Sequence, residues 1–144
     1  GHGFTYGGHP LGCALGVKAI EIYQKRDIIG HVRKLAPLFE ARMRKAAEHP
    51  MVGEARHVGL VGGIELVADK RTKRPFDPKS GVGATLVRYL EGRGAILRAL
   101  GDTISFCPPM IISEAELNEL FDRFELALAD AEAWVAKEGL ARAA

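Results

Sequence analysis

Residues 52–69 read VGEARHVGLVGGIELVAD, and the fold class turns on them. Val58, Leu60, Val61, Ile64, Leu66 and Val67 are strand formers, suited to a pleated, half-buried surface. Gly62-Gly63 inside such a run predicts a bulge or a close backbone approach. The spacing GLVGGI is not G-x-G-x-x-G, and strand formers rather than a helix follow it, so a strand bulge is the reading over a phosphate loop.

Helices are expected on both sides of this strand region. Upstream, Pro10 suits a first helical position, and Leu11, Ala14, Leu15, Ala19 and Ile22 recur at helical spacing. Asp27 can cap a second run with Ile28, Val32, Leu35, Phe39 and Met43 on one face. Pro37 predicts a kink or break in that run, or a helix that begins again just before it. Downstream, DKRTKRPFDPKSG reads as a loop, and a short helix is expected from Ser80 to Glu91. AILRALGDTISFCPP, residues 95–109, reads as two strands around a Leu100-Gly101-Asp102 turn. Ser113 and Glu116 form a capping box for a last helix with Leu117, Leu120, Phe121, Phe124, Leu128, Ala131 and Val135 on one stripe. The expected fold class is α+β: a small, mainly antiparallel sheet with helices packed on one face.

Composition narrows the function classes. The 144 residues carry a formal net charge of +2, too little to argue for nucleic acid or an anionic membrane. Lys70 to Arg74 is basic, but a short run of this kind reads as a solvated loop. No apolar stretch approaches the ~18 residues needed to span a bilayer. Cys13 and Cys107 fit neither a disulfide framework nor a metal-ligand spacing, and the five histidines form no ligand pattern. A reducing cytoplasm is the expected location. Position 1 is not methionine, as in a processed, tagged or truncated chain.

Two places hold candidate chemistry. GFTYGGHP, residues 3–10, stands before a helix, and its glycines, threonine and helix start could approach a phosphate or carboxylate. A flexible tail is the other reading. Alternation puts Arg98 on a strand face with Ile96 and Leu100. An arginine there needs a protein carboxylate or a ligand, or else it reaches water along an edge.

Three segments in order resemble class III aminotransferases, pyridoxal-phosphate enzymes of fold type I that include the omega-amino acid:pyruvate transaminases. His2 to Pro10, HGFTYGGHP, resembles the family's H-G-F-T-Y-S-G-H-P, with Gly7 where serine is common. GLVGGIELVAD, residues 59–69, is similar to its G-x-x-x-x-[IV]-E-L-V-x-D strand. DTISFCPPMII, residues 102–112, is similar to D-x-I-x-x-x-P-P-L-I-I before the last helix.

The resemblance implies residues 10–144 to be the C-terminal small domain, and residues 1–9 a segment from the large-domain and dimer interface. It implies pyridoxal 5'-phosphate as cofactor and a homodimeric parent that moves an amino group from an omega-amino acid or amine to pyruvate or another 2-oxo acid. Thr5, with Phe4 beside it, would contact the phosphate of the neighbouring subunit's cofactor. Arg98 would bind the substrate carboxylate and swing aside for a substrate lacking one. The Schiff-base lysine would lie upstream, so this chain alone is expected to contain no catalytic residue and to be inactive. A free-standing α+β binding or assembly module that has lost catalysis is the alternative.

Overall fold

The computed structural model describes residues 1 and 3–141. The elements run α1 (Pro10–Lys25), α2 (Ile28–Ala47), β1 (Val52–Val58), β2 (Val61–Leu66), α3 (Val82–Gly92), β3 (Arg98–Leu100), β4 (Thr103–Phe106) and α4 (Glu114–Glu138). One 3-10 turn, Pro78–Ser80, leads into α3. The sheet has the order β1-β2-β4-β3, and all its pairs are antiparallel. The fold is α+β, as the alternation of the sequence predicts.

Local chemistry sets the element ends. The Asp27 carboxylate accepts the Gly30 N–H at 3.2 Å and starts α2. At α4 the capping box is complete: Ser113 Oγ accepts the Glu116 N–H at 3.2 Å, and Glu116 Oε2 accepts the Ser113 N–H at 2.8 Å. The Ser113 hydroxyl also donates to Glu116 Oε2 at 2.7 Å, and that bond first, then the one from the Ser113 N–H, holds the Glu116 carboxyl below its ordinary range.

One face of the sheet carries the core. Ile64, Leu66, Ile104 and Phe106 meet Leu35, Phe39 and Met43 of α2, Val82, Leu86 and Leu90 of α3, and the buried stripe of α4 in a single cluster. Phe106 and Phe121 stack at 5.0 Å between centroids, and Phe39 meets Phe121 edge-on at 5.4 Å. Such pairs contribute roughly 0.5–1.5 kcal/mol beyond area burial. Above them Arg42 lies 5.5 Å from the Phe121 centroid and binds Asp122 at 2.5 Å and Glu125 at 3.1 Å, joining α2 to α4.

Three sequence expectations need correction. The helix α2 runs through Pro37 without a break. Pro37 costs the hydrogen bond that residue 37 would give the Arg33 carbonyl, but it sits on the exposed side, while Leu35, Phe39 and Met43 hold the buried side to the sheet. The bulge is not at Gly62-Gly63. The register of β1 and β2 shifts between Val52 and Glu54, and pairing through Gly62 and Gly63 is regular. Gly62 instead marks a close approach by side chains: a Cβ there would lie 2.8 Å from Met43 Cε and 3.0 Å from Phe39 Cε1. Leu60, finally, lies outside the strands, buried in the β1–β2 turn beside Gly59.

The helix α1 forms where its periodicity places it, but it contains no buried residue. Among the described residues, α2 is the element it neighbours most. Cys13 and Cys107 are both exposed free thiols. Among the described residues no cluster of three or more His, Cys, Asp or Glu could hold a metal ion, and no helix is long and apolar enough to cross a membrane.

Candidate functional site

The sheet's other face is open. Alternation turns Ile104 and Phe106 into the core and leaves Thr103 and Ser105 on the open side. The register aligns these with their neighbours. Arg98 pairs with Ser105, Ser105 with Gly63, and Gly63 with Arg56, one row across all four strands. At ~4.8 Å per strand gap, the two arginine Cα atoms stand roughly 14 Å apart. Between them lie only a glycine and a serine.

The two arginines differ in their partners. Arg56 is held by Glu54 at 3.3 Å and Glu65 at 3.6 Å, and Lys73 also reaches Glu54, at 3.6 Å. Among the described residues no carboxylate pairs with Arg98. It is exposed, as are Ile96 and Leu100 on the same face. Beside it opens a cleft of about 460 Å³ whose walls include Ile96, Leu97, Cys107, Pro108 and Ile112. The setting is a cation at the mouth of an apolar cleft. A planar guanidinium there can take a carboxylate through two parallel hydrogen bonds.

The N-terminal segment is built as a pair of turns. Gly7 N–H donates to Phe4 O at 2.9 Å, and His9 N–H donates to Tyr6 O at 3.1 Å. Gly8 has φ +76°, a conformation that L side chains rarely adopt. His9 caps α1 by accepting the Gly12 N–H at 3.3 Å, and Pro10 follows at the first helical position. Thr5 and Phe4 are exposed on this turn. His2, the first residue of the HGFTY motif, lies outside the described residues. None of the residues lining the cleft at Arg98 comes from this segment. The chain therefore brings Arg98 and Ser105 together but leaves Thr5 and Phe4 apart from them.

A cofactor that forms a Schiff base needs a lysine in a sheltered cleft. All eight lysines of the chain are exposed, and none lines the cleft at Arg98. The donors present suit only part of such a site: the Thr5 hydroxyl fits a phosphate, and Arg98 fits a carboxylate.

A family model described as Aminotransferase class-III matches residues 1–128. The chain belongs to this family. A probable gamma-aminobutyrate transaminase 3, mitochondrial, of Oryza sativa subsp. indica is 40% identical over 94% of the chain, which spans 27% of that relative. A putrescine–pyruvate aminotransferase of Pseudomonas aeruginosa is 42% identical over 83% of the chain and is spanned to 26%. An omega-transferase structure from Vibrio fluvialis JS17 superposes with a TM-score of 0.88 at 42% identity, covering 94% of this chain and 32% of that one. A PMP-bound aminotransferase from Vibrio fluvialis gives 0.86 at 42% identity, covering 92% and 29%. This class III chain thus spans about a quarter to a third of the relatives it matches.

Ser105 and Gly63 were not singled out as site residues by sequence reasoning. Half of the signal was present, since Thr103 and Ser105 alternate with Ile104 and Phe106. The other half is the register between β2 and β4, which no local pattern encodes.

Proposed function

We propose that this chain is the small domain of a homodimeric pyridoxal-phosphate transaminase that transfers an amino group from an omega-amino acid or amine to pyruvate or a related 2-oxo acid. When bound, the cofactor supplies the electron sink for amino-group exchange. The residues of this chain bind and orient. Arg98 receives the substrate carboxylate in the bidentate geometry. Gly63 and Ser105 beside it leave room for the guanidinium to turn aside when the substrate carries no carboxylate. The Thr5 hydroxyl, with Phe4 alongside, donates to a phosphate oxygen of the cofactor in the neighbouring subunit. With eight exposed lysines and none in the cleft, the 144-residue chain alone does not catalyse. A reducing cytoplasm suits its two exposed thiols.

The observation that carries this reading is Arg98 itself: a cation beside an apolar cleft, with no carboxylate pairing with it among the described residues. The test is Arg98→Ala in the full-length dimer, with the 144-residue chain run in parallel. The specificity constant for an amino acid should fall ~30- to 1000-fold, while that for its decarboxylated amine holds. Arg98→Lys should recover little, because an ammonium lacks the planar fork. Equal losses on both substrates would make Arg98 structural. Turnover by the 144-residue chain would defeat the claim that it lacks catalysis.

A further inference from the structure

Arg98 stands on weak ground. It opens a strand of three residues at the sheet edge, with β4 as that strand's one partner. Ile96, just before it, is 84% exposed. Leu97 and Ala99 pack against the core on either side of Arg98, and a further constraint on the direction of the guanidinium lies beyond the strand.

The far end of the hairpin supplies that constraint. The turn between β3 and β4 is Gly101-Asp102, with Gly101 at φ +59°. Asp102 Oδ1 accepts the N–H of Gly83 at 2.9 Å. Gly83 is the second residue of α3, and the helix's own cap position, Gly81, has no side chain to offer. A carboxylate from another element therefore caps α3. This satisfies a donor that its own turn leaves open and places negative charge at the positive helix end. The backbone of Asp102 does more: its carbonyl accepts the Leu66 N–H at 2.9 Å, tying the turn to the end of β2.

The fit leaves no play. A Cβ on Gly83 would lie 2.2 Å from Gly101 O and 3.1 Å from Asp102 Cα. The helix start and the turn thus touch backbone to backbone. Behind this joint α3 is anchored by Val82, Leu86 and Leu90, all fully buried. The hairpin is clamped at its turn, with Arg98 in the third residue pair from it, between Leu97 and Ala99, which pack against the core.

We infer that Asp102 is a positioning residue for Arg98: by capping α3 from the turn, it sets the angle at which β3 holds the guanidinium for the substrate carboxylate. The inference rests on the carboxylate-binding reading of Arg98. A cap that served folding alone would affect all substrates alike.

The experiment uses the full-length dimer. Asp102→Ala should raise KM for the amino acid about 10- to 100-fold, the scale of a misplacement near 1 Å, while kcat and the decarboxylated amine change little. Asp102→Asn keeps the acceptor oxygen and should restore the wild-type KM. In an Arg98→Ala background, Asp102→Ala should cost nothing further on the amino acid. Hydrogen exchange in the segment containing Gly83 should rise in Asp102→Ala and not in Asp102→Asn. Gly83→Ala, which pushes the turn away while leaving the carboxylate in place, carries the same test where Asp102→Ala does not fold.

Equal losses on both substrates, unchanged exchange at Gly83, or additive loss in the double variant would each overturn the inference. If Arg98→Ala itself fails to separate the two substrates, the reading of Arg98 falls. If Arg98→Ala separates them and Asp102→Ala does not, only the positioning role falls.

Discussion

Helices α1 and α4 both carry apolar residues at helical spacing, yet their fates in the structure are opposite. Seven residues of α4 are buried, from Leu117 to Val135, and none of α1 is. Leu11, Leu15, Val17 and Ile20 are each 60% exposed or more. The contrast separates two kinds of information. Periodicity specifies that a helix forms, whereas burial needs a partner surface of matching shape. The stripe of α4 meets α2, α3 and the sheet. The apolar residues of α1 are spread around its circumference, as in a helix enclosed on several sides, and among the described residues α2 is the element that α1 neighbours most.

The largest test of this contrast is truncation. Phe121→Ala removes a ring that touches Phe39, Phe106 and Arg42, and should cost ~3–5 kcal/mol. Leu15→Ala should change stability by ~0.5 kcal/mol or less. Urea midpoints at constant slope measure both. A large loss from Leu15→Ala would mean that α1 packs on something, and the contrast would collapse.

Glycines sharpen it with opposite signs. Gly62→Ala drives a methyl group into Met43 and Phe39 and should destabilise by ~1–3 kcal/mol. Gly16→Ala in α1 meets nothing within 4 Å, and it should raise helix content with a local gain near ~1 kcal/mol. Circular dichroism and thermal melts of the two variants distinguish these outcomes.

The smallest effect is a pH dependence confined to the core side. His49 follows the end of α2, accepts the Met51 N–H at 3.2 Å and faces Glu132 at 3.4 Å and Lys70, whose ammonium bonds the His49 carbonyl. Burial lowers its pKa, outweighing the upward pull of Glu132, and Lys70 adds to the lowering. The folded state therefore favours the neutral ring. This contribution to stability is full above the ordinary histidine value and is lost as pH falls through the lowered one. His49→Gln should flatten the stability curve on the acid side of neutrality. An unchanged slope would remove His49 as its source.

Much of the fold was legible because its signals are local. The capping box at Ser113, the Asp27 cap and the Gly101-Asp102 turn each lie within a few residues of what they determine. The misread bulge shows the limit. Two adjacent glycines looked like a strand defect, but Gly62 is small because Phe39 and Met43 press on it from another element. The irregularity lies near Gly53, where a Cβ would come 2.6 Å from Val67 Cγ1. At Pro37 the break allowed by a local rule does not occur, because the helix is held to the sheet along its buried side. At the candidate site, alternation placed Arg98 on a strand face with Ile96 and Leu100, and the structure leaves that face open. Its neighbours Ser105 and Gly63 are set by strand register, and the roles of Thr5 and Phe4 come from the family resemblance.

The sheet order β1-β2-β4-β3 also bears on how the chain reaches its shape. Two of the three ladders, β1–β2 and β3–β4, are hairpins with two-residue turns, which close in microseconds and at little entropic cost. The third, β2–β4, joins Gly62 to Phe106 and Glu65 to Thr103 across an intervening segment that contains α3. Closure entropy grows only logarithmically with loop length, and α3 shortens the loop further once it is helical. The search for the native arrangement thus reduces to one encounter between two preformed ribbons, a low-contact-order route with a single demanding step.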